Sequence, residues 1–268
     1  MTVDSRWGAP LTGRVALVTG ASRGIGAAVA RAFSQAGAAV ALAARDGDAL
    51  DRLAEELRAG GGQALAVPTD VGDAEAVARM VERVVDAFGR LDMACNNAAG
   101  KGHPPTALAE VPVEAFDAGL AVSLRGVFLS LRYEIPAMLA TGGGAIVNMS
   151  STAGLQGVAG LAAYVTAKHG LEGLSQVAAL DYADQGVRVN TIAPGPILTE
   201  NLARAGAGAQ QAAAAAMPMR RVGRPEEVAA AVVWLCSPEA GFITGAHLVI
   251  DGGKLAGTPP YQVQFRAG

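Results

Sequence analysis

A chain of 268 residues with 51% hydrophobic and 17% charged side chains can bury a substantial core and is too apolar to stay disordered. Its formal net charge of -3 excludes the broad basic face that nucleic-acid binding needs, so any phosphate recognition has to be local. Only Cys95 and Cys236 are present, each in an apolar run, which gives neither a disulfide framework nor a zinc cluster and fits a reducing compartment.

In chain order, residues 1–13 carry Asp4 and Arg6 and no apolar stretch of signal-peptide length, so nothing directs export. Short apolar runs recur at 15–19, 39–43, 64–67, 91–95, 145–149, 187–192 and 247–250, each the length of a buried strand. Between them the spacing is helical: Ile25, Ala28, Val29, Ala32, Phe33 and Ala36, then Leu50, Leu53, Ala54 and Leu57, then Val77, Val81, Val84, Val85 and Phe88. Gly37 and Gly89 stand where the first and third of these helices should end. This alternation predicts an α/β fold, a doubly wound parallel sheet in a single domain, with ligands at the carboxyl ends of the strands. An Ala-rich stretch, 210–216, reads as a mobile helical flap. The longest late apolar run, 228–236, is half a bilayer span, so a cytoplasmic protein with no membrane partner is expected. A tail, 254–268, contributes Pro259, Pro260, Tyr261 and Phe265 without periodicity.

Thr19-Gly20-Ala21-Ser22-Arg23-Gly24-Ile25-Gly26 follows the first strand and opens the first helix. Glycines there let backbone N–H groups approach a pyrophosphate at the positive end of the helix dipole. In a chain this rich in glycine, three at a fixed spacing arise about 0.6 times by chance, so the position after strand one discriminates, not the pattern. Tyr164-Val165-Thr166-Ala167-Lys168 is a stronger signal, expected about 0.04 times by chance, and its spacing puts both polar side chains on one helix face. A phenol is a poor acid or base at neutral pH, but an ammonium and an oxidised nicotinamide both favour its ionised form. Ser151, just past strand five, lies at the same sheet edge as the glycine turn, where its hydroxyl could polarise a carbonyl; alone it reads as a capping serine.

Together these residues resemble the short-chain dehydrogenase/reductase family in its single-domain, Rossmann-like form, over 13–253. The resemblance implies a nicotinamide-dependent enzyme interconverting ketone and secondary alcohol, commonly a homotetramer built through 120–139 and 171–182. It carries over Gly20, Ser22, Arg23, Gly24, Ile25 and Gly26 as the pyrophosphate turn, Asp70 and Val71 on the adenine side, and Asn97 within Asn96-Asn97-Ala98-Ala99. It also implies Pro194, Gly195, Ile197 and Thr199 at the nicotinamide and Asp251-Gly252-Gly253 as a C-terminal signature. Tyr164 is implied as acid or base, Lys168 as the group that lowers its pKa and holds the nicotinamide ribose, and Ser151 as the group that orients the carbonyl.

Two positions depart from the family. Ser123 stands where it has a fourth catalytic residue, Asn, whose backbone carbonyl holds a relay water; a serine keeps that carbonyl. Ala99 replaces a glycine. After strand two, Ala44 and Arg45 replace the acidic residue of NAD-selective folds and, with Arg23, resemble a basic pair for a phosphorylated ribose, so NADP(H) is expected over NAD(H). Asp46 could offset Arg45. Loops 101–108, 152–161 and 200–219 should line the substrate pocket, with Leu155, Val158 and Leu161 suiting a hydrophobic or alicyclic ketone and His103 and Gln156 as polar contacts. Acidic stretches 133–135 and 181–185 should repel an acyl carrier, leaving a small-molecule substrate. The competing readings are an NAD-dependent alcohol dehydrogenase, a dinucleotide-binding scaffold without redox chemistry, and a lyase or epimerase; no metal is expected.

Overall fold

A computed structural model of the chain describes residues 11–100 and 102–257. Seven strands, β1 (Val15–Thr19), β2 (Ala39–Ala44), β3 (Ala64–Pro68), β4 (Met93–Asn96), β5 (Gly144–Met149), β6 (Val187–Pro194) and β7 (His247–Ile250), form one parallel sheet in the order β3-β2-β1-β4-β5-β6-β7. Between them run α1 (Gly24–Gln35), α2 (Gly47–Ala59), α3 (Ala74–Phe88), α4 (Val113–Leu120), α5 (Gly126–Leu139), α6 (Ala162–Tyr182), α7 (Glu200–Arg204), α8 (Gly206–Ala215) and α9 (Pro225–Cys236).

The strands are apolar throughout because both sheet faces are covered. Ala16 and Val18 of β1 pack with Val29 and Phe33 of α1, Leu53 and Leu57 of α2, and Val228 and Val232 of α9. Val15 and Leu17, pointing the other way, pack with Val77 and Val84 of α3, Val127 and Ile135 of α5, and Leu171 and Ala178 of α6. Two strands, β1 and β7, have the extents expected from their apolar runs, and the others shift by one or two residues. The largest shift is in β4, which begins at Met93 because the chain before it serves a polar anchor. There the buried Asp92 accepts from Arg14 (2.7 Å), Arg90 (2.5 and 2.7 Å) and the Val15 N–H (2.9 Å) at the amino end of the sheet.

The helix ends follow their sequence signals. Asp46 caps α2 through the Ala49 N–H, and Asp73 caps α3 through the N–H groups of Glu75 and Ala76. Gly89, at φ 77°, closes α3 in the left-handed conformation. The Ala-rich stretch is helical, as α8, and none of its residues is buried. Pro259, Pro260, Tyr261 and Phe265 lie outside the described residues.

Candidate active site

β1 pairs with β2 on one side and β4 on the other, so a crevice opens at the carboxyl ends of β1 and β4. The glycine turn leaves β1 at this crevice. At Gly26 a Cβ would lie 2.2 Å from the carbonyl oxygen of Gly20, so glycine is what lets α1 start this close to the turn. Asn97 builds the facing wall: its Nδ2 donates to the carbonyls of Thr19 (3.1 Å) and Gly20 (3.2 Å). Thr19 Oγ1 accepts from the N–H groups of Asn97 and Ala98, both at 3.1 Å.

The turn behaves as an anion site. The Gly24 N–H donates to Glu200 Oε1 at 3.3 Å, a carboxylate standing at the head of a helix whose own first turn has no acidic residue. A Cβ at Gly24 would meet Thr199 Cγ2 at 3.2 Å, which places Thr199 over the turn as well. Gly20, Ser22, Arg23, Gly24, Ile25 and Gly26 line this turn, whose N–H groups suit an anionic group such as a pyrophosphate. Arg23 and Arg45 are exposed, Arg45 directly after β2, and no ion pair among the described residues engages Arg45. Asp46, the residue that could offset it, holds the α2 cap with its carboxylate.

Further along the same edge, Asp70 is exposed and accepts from the Gly72 N–H (2.9 Å), while Val71 is buried beside Gly126. Pro194 ends β6, the Gly195 N–H donates to the Ile250 carbonyl (2.9 Å), and Ile197 is buried. Met217 is buried and Met219 N–H bonds the Gly252 carbonyl, so the end of loop 200–219 packs on the turn at Asp251.

α6 brings the reactive groups to this edge. Tyr164 shares a side-chain hydrogen bond with Ser151, which also accepts from the Ala153 N–H (3.1 Å), and so serves as a cap too. Lys168 Nζ lies 5.8 Å from the Tyr164 ring centre and donates to the Met149 carbonyl at 2.6 Å. Burial raises the Tyr164 phenol above its usual pKa, with the Ser151 bond acting against it. Burial lowers Lys168 to about 8, opposed by the Glu172 carboxylate. In the chain by itself the Tyr164 phenol thus lies above its usual pKa, opposite in direction to the lowering expected from the sequence.

A family model described as enoyl-(acyl carrier protein) reductase matches residues 20–254. The chain belongs to the short-chain dehydrogenase/reductase family. It is 46% identical over 248 residues to an A-factor type gamma-butyrolactone 1'-reductase (1S-forming) of Streptomyces virginiae, covering 91% of this chain and 96% of that one. It is 41% identical to a cyclohexanol dehydrogenase of Acinetobacter sp. (strain SE19), over 89% and 94% of the two chains. A short-chain type dehydrogenase/reductase from Mycobacterium marinum superposes with TM-score 0.87 at 33% identity, covering 96% of this chain and all of that one. A putative NAD(P) dependent gluconate 5-dehydrogenase from Beutenbergia cavernae, solved with NADP at low occupancy, gives TM-score 0.85 at 37% identity, over 92% and 98%. The chain is thus an oxidoreductase of alcohol or ketone groups that uses NAD(P).

Both departures from the family have a place in the structure. Ser123 is buried in a π-helical turn, Ala121–Arg125, between α4 and α5, and its hydroxyl accepts from the Gly100 N–H (3.1 Å), tying down the loop after β4. Ala99 is exposed and needs no positive φ, so its methyl meets no constraint there. Three features escaped the sequence. The first is the Thr19 hydroxyl as a clasp for Asn97. The second is His103, a candidate polar contact, which accepts from the Ala163 N–H (3.4 Å) at the head of α6 through Nε2 and engages the Pro104 carbonyl (2.8 Å) through Nδ1. Glu134, expected on an acidic surface, is fully buried and bonded to Asn96, so it faces no carrier protein.

Proposed function

We propose that the chain is an NADP(H)-dependent oxidoreductase interconverting the ketone and secondary alcohol of a small, hydrophobic or alicyclic molecule. The observation that carries this reading is the half-buried Tyr164 phenol, hydrogen-bonded to Ser151 and close to the Lys168 ammonium, at the sheet edge that holds the glycine turn. When bound, the nicotinamide supplies or takes the hydride and, oxidised, adds positive charge beside the phenol.

Tyr164 holds its proton in the unliganded chain and is placed to give it to a carbonyl oxygen as the carbonyl carbon is reduced. Ser151 would donate to that same oxygen, fixing its direction and taking up developing charge. Lys168 favours the phenolate that forms and would hold the nicotinamide ribose together with Tyr164. In alcohol oxidation the same groups run in reverse, with the phenolate as base. Asp70, Val71 and Asn97 would flank the adenine side and the crevice wall, and Pro194, Gly195, Ile197 and Thr199 the nicotinamide. Ser123 would supply its backbone carbonyl to the proton relay.

The NADP preference rests on Arg23 and Arg45, two exposed guanidiniums beside the ribose position, and a related structure holds NADP. The substrate class rests on Leu155, Val158 and Leu161 in the loop before α6, and a relative named for cyclohexanol favours an alicyclic ring. A free molecule is favoured over a carrier-bound one by the exposed Asp181 and Asp184; Glu134 no longer contributes to that argument. Cytoplasmic action fits the two free, buried cysteines, and no helix among the described residues is long and apolar enough to cross a membrane.

The test is a panel of cyclic and acyclic ketones and alcohols followed at the nicotinamide absorbance with each cofactor. Turnover of a cycloalkanol or cycloalkanone, with higher kcat/KM for NADP(H), is expected. An NADH preference would reject the cofactor assignment, and product formation without net nicotinamide turnover would favour the lyase or epimerase reading.

A further inference from the structure

Below the reactive pair, α6 carries a second polar column. Lys168, Glu172 and Gln176 follow at intervals of four residues and so stand on one helix face, a turn apart. Glu172 is 6% exposed and reaches across β6 to β7: Thr191 Oγ1 donates to its Oε2 at 2.6 Å, and His247 Nδ1 bonds the same oxygen. Gln176 Nε2 lies 2.8 Å from His247 Nε2. An amide nitrogen can only donate, so this orientation puts the imidazole proton on Nδ1, facing Glu172; turning the amide offers its oxygen to a protonated Nε2 instead. The clamp therefore accommodates a proton on either ring nitrogen of His247.

Glu172 Oε1 is buried and has no hydrogen-bond partner among the described residues. A carboxylate with one oxygen unneutralised in the interior acts over a longer range than one in water. One turn nearer the reacting groups, Lys168 donates to a neutral backbone carbonyl, that of Met149. The charged and titratable groups facing Glu172 are Lys168 on α6 and His247 on β7; β6 contributes the neutral Thr191.

We infer that Glu172 is a positioning residue whose carboxylate, clamped by Thr191 and His247, keeps the Lys168 ammonium charged and links it to a histidine at the edge of the sheet. The inference rests on the role proposed above for Lys168. Burial drives Lys168 toward the neutral amine, and Glu172 is the charge that opposes it. Without that charge Lys168 turns neutral at lower pH and its pull on the Tyr164 phenol goes with it.

The chain has three lysines, Lys101, Lys168 and Lys254, so protein labelled with carbon-13 at lysine Cε gives a spectrum that K101R and K254R assign. Titrating the unliganded protein reads Lys168 directly, with no substrate. In E172Q the Lys168 midpoint is expected to fall by about one pH unit, while E172D, which keeps the charge, stays near wild type. The alkaline limb of the kcat/KM profile should move down with it. If E172Q does not fold, E172M, a similar stem without the charge, takes its place. An unmoved midpoint in the folded variant overturns the inference, and so does a fall in kcat/KM equal at every pH with the midpoint unmoved, which marks packing alone. A shifted midpoint in a protein that turns over no alcohol or ketone upholds the electrostatic link and counts against the proposed reaction instead.

Discussion

Partial burial makes Tyr164 hold its proton more tightly than a free phenol does, and the Ser151 hydroxyl acts against that. Tyr164→Phe keeps the ring and its packing but removes the proton, so kcat/KM is expected to fall at least about a hundredfold while Tm persists and NADPH still binds, weakened only by the one lost ribose contact. Steady-state kinetics with fluorescence titration of NADPH checks this; substantial residual turnover would place the acid elsewhere. Arg45 stands exposed after β2, and no carboxylate among the described residues pairs with it, which leaves its charge for a ribose phosphate. Replacing it with Asp substitutes repulsion of that phosphate for a charge-assisted hydrogen bond, and the kcat/KM ratio of NADPH to NADH should drop about ten- to hundredfold. An unchanged ratio would show that Arg45 does not touch the cofactor.

At the level of elements, α5, β4, β5 and α6 are stitched together by one buried polar chain. Asn96 Nδ2 donates to Glu134 Oε2 (2.9 Å) and Asn148 Oδ1 (3.0 Å), and Asn148 Nδ2 donates to Ser175 Oγ (2.8 Å). Among the described residues Asn96 Oδ1 and Glu134 Oε1 have no hydrogen-bond partner, so an ionised Glu134 would leave one oxygen of its carboxylate uncompensated in the interior. Burial raises Glu134 from 4.5 to about 7, against the Asn96 bond. Because the folded pKa is the higher one, the stabilisation is complete below the unfolded value, declines as pH rises from there, and is gone above about 7. The full effect is on the order of 3 kcal/mol. Glu134→Gln removes the titration, so the stability difference between wild type and E134Q should move in favour of E134Q between about pH 5 and about pH 8 in urea melts. A difference constant across that range would mean that Glu134 is ionised in the folded protein.

For the whole molecule, the two ends of the sheet carry separate tasks. Asp92 and its two arginines anchor the amino end, and the glycine turn, Ser151 and α6 gather at the carboxyl end. On the outside, α5 and α6 expose Phe128 (46%), Val177 (55%) and Leu180 (82%), apolar side chains in the two segments through which family tetramers form. We propose that they are covered in a homotetramer. Leu180→Asp would then place a charge in that interface, and sedimentation velocity should show species smaller than the wild type. A wild-type monomer would reject the assembly.

The apolar runs located the seven strands and the helical spacings the first three helices from the sequence alone, because both patterns are local and repeat with the period of the element. The spacing of Tyr164 and Lys168 was equally legible, since one helical turn joins them. Only the tertiary structure decided what partners the remaining polar groups find. Thr19 meets Asn97 across 78 residues, Asn96 meets Glu134 across 38, and Glu172 meets His247 across 75, each by strand order and register. A single-sequence pattern carries no such pairing. The same distance explains why Glu134 read as surface charge: whether a polar side chain faces water or another element depends on what the fold lays against it.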